Sequence, residues 1–202
     1  MDVNRVKIVF GHIYQLIEEN KDYLGELDGR SGDGDLGVSM AGGFAAVVKS
    51  LSEYEEKDLG KVFLLCSKSF NAAAPSSLGT ILSLGMMGMA KTLKGKENCS
   101  VGELADAMEK GLMSIMDKAK SKPGDKTVLD ALDPAVKALK QHENDEEEKA
   151  LKAAAEAAKE GAESTVGMKS VHGRAAYYGE KSIGQVDGGA VVGKLIFQGI
   201  AK

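Results

Sequence analysis

The sequence predicts an all-α protein of about eight antiparallel helices. Three observations point there. Apolar residues recur at helical spacing almost from end to end, and no stretch alternates as a half-buried strand does. Aromatic residues are only 5% of the chain, Trp is absent, and Ala, Gly and Met are abundant, which suits closely packed helices better than a sheet core. Most connections between the apolar stripes are short, which makes sequence neighbours antiparallel neighbours.

The stripes follow in order. Val6, Val9, Phe10, Ile13 and Ile17 form the first, and Met40, Phe44, Val47, Val48 and Leu51 the second. Leu59, Val62, Phe63 and Cys66 form the third, with Asp58 placed to cap it. Leu78, Ile81, Leu82, Gly85 and Met89 form the fourth, which Pro75 is expected to open from a first-turn position. Ser100 and Glu103 have capping-box spacing ahead of Leu104, Met108, Leu112 and Ile115. Leu129, Leu132, Val136 and Leu139 form the sixth stripe, with a kink or restart expected at Pro134. "DEEEKALKAAAEAAKEGAES" is the seventh, its acids at the start where the helix dipole favours them. Val191, Val192, Leu195, Ile196 and Ile200 form the eighth, after Asp187. The longer connections are Lys21–Asp35, Asn71–Ser77, Lys120–Thr127 and Thr165–Gly188, each rich in Gly, Ser or Asp. If alternate connections gather at one end of the bundle, these converge on one site.

A chain of 202 residues suits one domain, 1–202, with a sizeable core. The net charge of −4, with both signs mixed, gives no basic footprint for nucleic acid. Cys66 and Cys99 lack metal-ligand spacing, and nothing demands a disulfide, so a reducing cytoplasm is expected. The N-terminus lacks the pattern of a signal peptide, and no apolar run approaches the ~20 residues of a membrane span.

The stretch "SGDGDLG", residues 31–37, sets the chemical question. Gly32, Gly34 and Gly37 satisfy G-x-G-x-x-G, yet a dinucleotide loop needs a strand before it, and bare carboxylates repel a pyrophosphate. A calcium loop counted from Asp28 or Asp33 puts Ser39 or Phe44 where an acid is required. "GDKT" and "GEKS" lack the spacing of a Walker lysine loop. Turn and cap duty is the plainest account of Asp33 and Asp35. Against it, Asp28 joins them, and three carboxylates so close repel unless cations lie between them. Magnesium takes carboxylate oxygens and completes its shell with water and phosphate. Negative charge belongs in this loop if divalent metal separates it from a phosphate, with the N–H groups of Gly37, Val38 and Ser39 as further donors. His12 reads as part of a helix face and His142 as surface, and His172 lies two residues from Arg174, itself in a glycine-rich setting. The methionines read as core filling.

Four blocks, "LDGRSGDGDLGVSM", "APSSLGT", "KPGDKTVLDALDPA" and "GRAAYYGEKSIGQVDGGA", together resemble the DhaL family, the nucleotide-binding subunits or domains of dihydroxyacetone kinases. The resemblance runs along essentially the whole chain. It implies a closed eight-helix barrel with ADP or ATP at one end and two Mg²⁺ on Asp28, Asp33 and Asp35. It also implies phosphate contacts at Leu36, Gly37, Val38 and Ser39, a nucleotide loop at Ser76 and Ser77, and an adenine pocket at Val128. Arg174 falls near the phosphates, and Asp187, Gly188 and Gly189 at a further nucleotide turn. Three departures mark a variant branch: Leu36 where the family often has His, a short "NAAAPSSLG" loop, and "DGG" for "DPG".

The reading that follows is the Mg-ADP/ATP-binding subunit of a two-component kinase for a short-chain ketose, dihydroxyacetone or a tetrose. Asp28, Asp33, Asp35 and Arg174 are its catalytic set. A DhaK-like partner would hold the sugar, and a DhaM-like phosphotransferase-system phosphoprotein is the alternative phosphoryl source to ATP. A homodimer is a further candidate assembly. The competing reading is a regulatory paralogue that binds nucleotide without transfer.

Overall fold

The computed structural model describes residues 1–202. It contains nine α-helices: α1 Val3–Glu19, α2 Lys21–Gly29, α3 Leu36–Ser52, α4 Leu59–Ala73, α5 Ser77–Thr92, α6 Val101–Ala119, α7 Leu129–Gln141, α8 Glu147–Ser164 and α9 Gly188–Ile200. Two 3₁₀ segments, Thr165–Gly167 and Arg174–Ser182, lie between α8 and α9. There is no strand, only an isolated bridge between Asp2 and Asn98. No helix is long and apolar enough to cross a membrane.

Each predicted stripe is a helix, and the caps expected at Asp58 and at Ser100 with Glu103 form. Asp58 accepts from Gly60 N at 2.8 Å. Ser100 and Glu103 complete the capping box at the start of α6. Asp187 accepts from Ala190 N at 2.8 Å at the start of α9. α7 does not restart at Pro134 but runs through it. The Asp130 carbonyl, which loses its helical donor to the proline ring, lies where α8 comes closest, at Gly161.

Eight of these helices form a ring. α3, α4, α5, α6, α7, α8 and α9 pack in sequence order, and α1 closes the ring against both α3 and α9. α2 is the ninth helix and lies across one end, against α3 and α9. The ring is antiparallel. At one end the Met1 ammonium donates to Cys99 O at 2.7 Å, Leu59 N to Lys96 O at 2.7 Å, and Glu147 lies 3.7 Å from the Met1 nitrogen. The N-termini of α1, α4, α6 and α8 therefore share that end. Those of α3, α5, α7 and α9 share the other.

A continuous cluster of 42 buried hydrophobic residues fills the ring. Phe44 meets Phe70 edge to face at 4.8 Å between ring centroids, the arrangement aromatic pairs favour. Met86, Met89 and Met108 do not fill the core completely: with Phe10, Phe44 and Phe63 they line an apolar cavity of about 130 Å³.

Candidate functional site

The aspartate loop is built by the junction of α2 and α3. Asp28, in the last turn of α2, accepts from Gly34 N through Oδ2 at 2.7 Å, which folds the loop back on itself. Gly34 has φ +78°, a left-handed backbone that favours glycine. Gly37 brings α3 against α2, and a Cβ there would strike the Lys21 carbonyl. The glycines of the false dinucleotide pattern thus serve a turn and a helix contact.

Asp35 stands at the N-cap position of α3 but makes no side-chain cap bond. Its carboxylate instead joins those of Asp28 and Asp33, and one oxygen from each lies within 4.8 Å of the others. The cap account of Asp35 fails on that geometry. Burial, then the charges of Asp33 and Asp28, hold the Asp35 carboxyl above its ordinary range. Asp33 is pulled the other way by a bond from Arg174, whose Nη1 lies 2.7 Å from its Oδ2. The Arg174 guanidinium is thus the one cation that the structure sets directly on the trio. The donor set fits magnesium: all hard oxygens, half-buried or exposed, at the mouth of an open cavity.

That cavity, about 580 Å³, is walled by the starts of α3, α5, α7 and α9 and by the loop before α9. It gathers Asp28, Asp33, Asp35 and Leu36 from the first wall, Ser76 and Ser77 from the second, and Val128 from the third. Arg174, Asp187, Gly188 and Gly189 complete it. Gly37, Val38 and Ser39 do not line it. Gly37 is buried against α2, Val38 is turned outward at 67% exposure, and Ser39 spends its hydroxyl on Ser76 Oγ at 3.1 Å. Leu36 packs toward Gly188 and Leu27, so its side chain supports the α2–α9 contact.

Ser76, not Pro75, opens α5: its hydroxyl accepts from Gly79 N at 3.1 Å, and Pro75 lies outside the helix. Ser77 is the first helical residue, and its hydroxyl makes no bond within the chain. His172 lines the cavity and bonds Asp125 Oδ2 through Nε2 at 3.0 Å. Sequence reasoning missed Arg30, Lys126 and Lys181, which also line the cavity. Arg30 lies two residues from Asp28, and Lys181 lies between Arg174 and Asp187. Nothing in the sequence distinguishes them from surface cations.

A ring of antiparallel helices that confines its polar chemistry to the loops at one end defines an all-α helical barrel with an end-on site. Within that class the chain belongs to the DhaL family: the family model for the DAK2 domain matches residues 30–202. It is 33% identical to the ADP-binding subunit DhaL of PEP-dependent dihydroxyacetone kinase 1 of Listeria innocua, over 90% of this chain and 86% of that one. It is 30% identical to the corresponding subunit of Escherichia coli, over 100% of this chain and 98% of that one. An L-erythrulose kinase of Pectobacterium atrosepticum is also 30% identical, over 92% of this chain and 32% of that longer protein. Among solved structures, the dihydroxyacetone kinase of C. freundii shares the fold with a TM-score of 0.78 at 24% identity, over 97% of this chain and 34% of that one.

Proposed function

We propose that the chain, as one domain spanning residues 1–202, is the Mg-ADP/ATP-binding subunit of a two-component short-chain ketose kinase. The observation that carries the proposal is the uncapped Asp35, drawn into a trio of carboxylates where four helix N-termini converge. The relatives named as ADP-binding subunits of dihydroxyacetone kinases support the nucleotide and the reaction class.

Asp28, Asp33 and Asp35 would hold two Mg²⁺, which when bound neutralise the phosphate oxygens of the transferring group. Arg174 leaves Asp33 and turns its fork to the phosphates, a geometry that suits it better than a lysine. The unpaired N–H groups at the starts of α5 and α9, with Ser77, Gly188 and Gly189, add donors where the dipole favours anions. Val128 offers an apolar wall to the base. A DhaK-like partner brings dihydroxyacetone or a tetrose such as erythrulose. ATP, or a DhaM-like phosphoprotein acting on bound ADP, supplies the phosphoryl group.

Calorimetric titration with ADP, with and without Mg²⁺, tests the assignment in the parent and in Asp35→Asn. The variant loses one metal-coordinating charge and should bind Mg²⁺-ADP about tenfold more weakly or worse, with no change without metal. Equal affinity in the two proteins would remove the trio from the metal site.

A further inference from the structure

The loop that carries Arg174 leaves α8 at Thr165 and returns to α9 at Asp187. Beneath it lies Lys126, only 5% exposed. Its backbone is left-handed, φ +61°, a conformation that residues with a Cβ rarely adopt and that persists only where surroundings enforce it. Its Nζ donates to the carbonyls of Met168 at 3.1 Å, Ser182 at 2.6 Å and Gln185 at 2.6 Å. An ammonium has three N–H donors, and all three are used, each on a neutral carbonyl. Buried lysines ordinarily have an anionic partner. Burial draws this ammonium below its ordinary pKa, with Asp187 acting the other way.

The three carbonyls are not adjacent in sequence. Met168 precedes the Arg174–Ser182 segment, Ser182 ends it and Gln185 follows it. The neighbouring Asp125 adds to the same clamp: its carbonyl accepts from Val171 N at 3.2 Å and its carboxylate from His172 at 3.0 Å. One short stretch therefore gathers both legs of the excursion that presents Arg174.

We infer that Lys126 is a positioning residue for Arg174, its ammonium tying the two legs of the 168–185 excursion together so that the guanidinium is held at the aspartate trio. The inference rests on the proposed nucleotide reading, in which Arg174 meets the phosphates. A tetrahedral head with three donors meets three converging carbonyls, which a planar guanidinium cannot do. Lysine therefore stands at a position whose backbone favours glycine or asparagine.

Lys126→Met tests this. It keeps the stem and the unfavourable backbone and removes only the donors. Hydrogen exchange over residues 168–185 should quicken in K126M. Mg²⁺-ADP affinity should fall about tenfold, the scale on which small misplacement of a binding group tells. In an Arg174→Ala background the same change should add little, because the two residues act as one. A purely structural lysine would instead give additive losses, or unchanged exchange over 168–185, and either result overturns the inference. Loss of affinity in R174A with none in K126M overturns it alone. R174A binding as tightly as the parent overturns the nucleotide reading and this inference together. Lys126→Arg keeps charge and stem and carries the same cycle if K126M fails to fold. It should restore only part of the lost affinity, and full restoration would remove the three-carbonyl geometry as the cause.

Discussion

Asp187 and Asp35 occupy the same position at the starts of two helices and behave oppositely. Asp187 caps α9, and Asp35 leaves α3 uncapped to join two other carboxylates. Asp187 nevertheless carries an electrostatic cost. Burial, together with the nearby Asp130 charge, pushes its carboxyl up to about 6 from an ordinary 3.8. A carboxyl raised in the fold binds a proton there that the unfolded chain has already released. Its contribution to stability is therefore greatest below the unfolded value and is lost as pH rises through the folded one. Asp187→Asn keeps an oxygen for the cap but cannot ionise. Without nucleotide, parent and variant unfolded in urea should diverge between about pH 4 and about pH 6, the parent losing about 1 kcal/mol relative to the variant after allowance for solvent screening. Parallel pH profiles would show that Asp187 titrates normally. The aspartate trio was legible in the sequence because three carboxylates within eight residues repel unless cations lie between them. Lys126 was not legible. Its "GDKT" setting was weighed only as a phosphate loop and rejected, and nothing in a sequence tells a lysine aimed at three distant carbonyls from one in water.

The helices with an apolar stripe were legible because their periodicity and their caps agree. α2 was not. Its nine residues include two glycines and bury only Leu24 and Leu27, so intrinsic propensity gives little signal. Packing across the end of the ring, on α3 and α9, supplies what propensity does not. The start of α5 shows a finer difference. Pro75 suits a first turn, but Ser76 has a hydroxyl that can accept from Gly79 N, and the cap bond sets the boundary one residue later. That boundary separates the two serines. Ser76→Ala removes both the cap and the bond from Ser39, and should lower stability without nucleotide by about 1 kcal/mol. Ser77→Ala removes a hydroxyl with no partner in the chain, so thermal unfolding without nucleotide should change little while affinity for Mg²⁺-ADP falls. A stability loss in Ser77→Ala with unchanged affinity would make it a structural residue and remove it from the site.

At the scale of the molecule, antiparallel order places alternate helix starts at one end, and the four connections that looked unusually polar in sequence are the four that meet there. The ring's closure was legible only through the family resemblance, since periodicity reports which face of a helix is buried and not which helices are neighbours. The same end carries an apolar rim. Val38 is 67% exposed, Val171 54%, Tyr177 91% and Ile183 43%, all on the first turn of α3 or on the loop around Arg174. Large apolar groups so placed beside a polar cavity are what a partner surface requires. The cavity's one histidine, His172, has its Nε2 on Asp125 and belongs to the loop clamp, so that nitrogen is not free to capture a ketose carbonyl. A free triose would rarely align with a phosphoryl group held there, because this transfer depends chiefly on positioning. The purified chain with Mg²⁺-ATP and dihydroxyacetone or erythrulose should therefore form no sugar phosphate above background. Adding a DhaK-like subunit should start the reaction, and Tyr177→Ala with Val38→Ser should raise the partner concentration needed for half-maximal rate while leaving Mg²⁺-ADP affinity in place. Equal rates with and without the partner would place the sugar site in this chain and defeat the two-component reading.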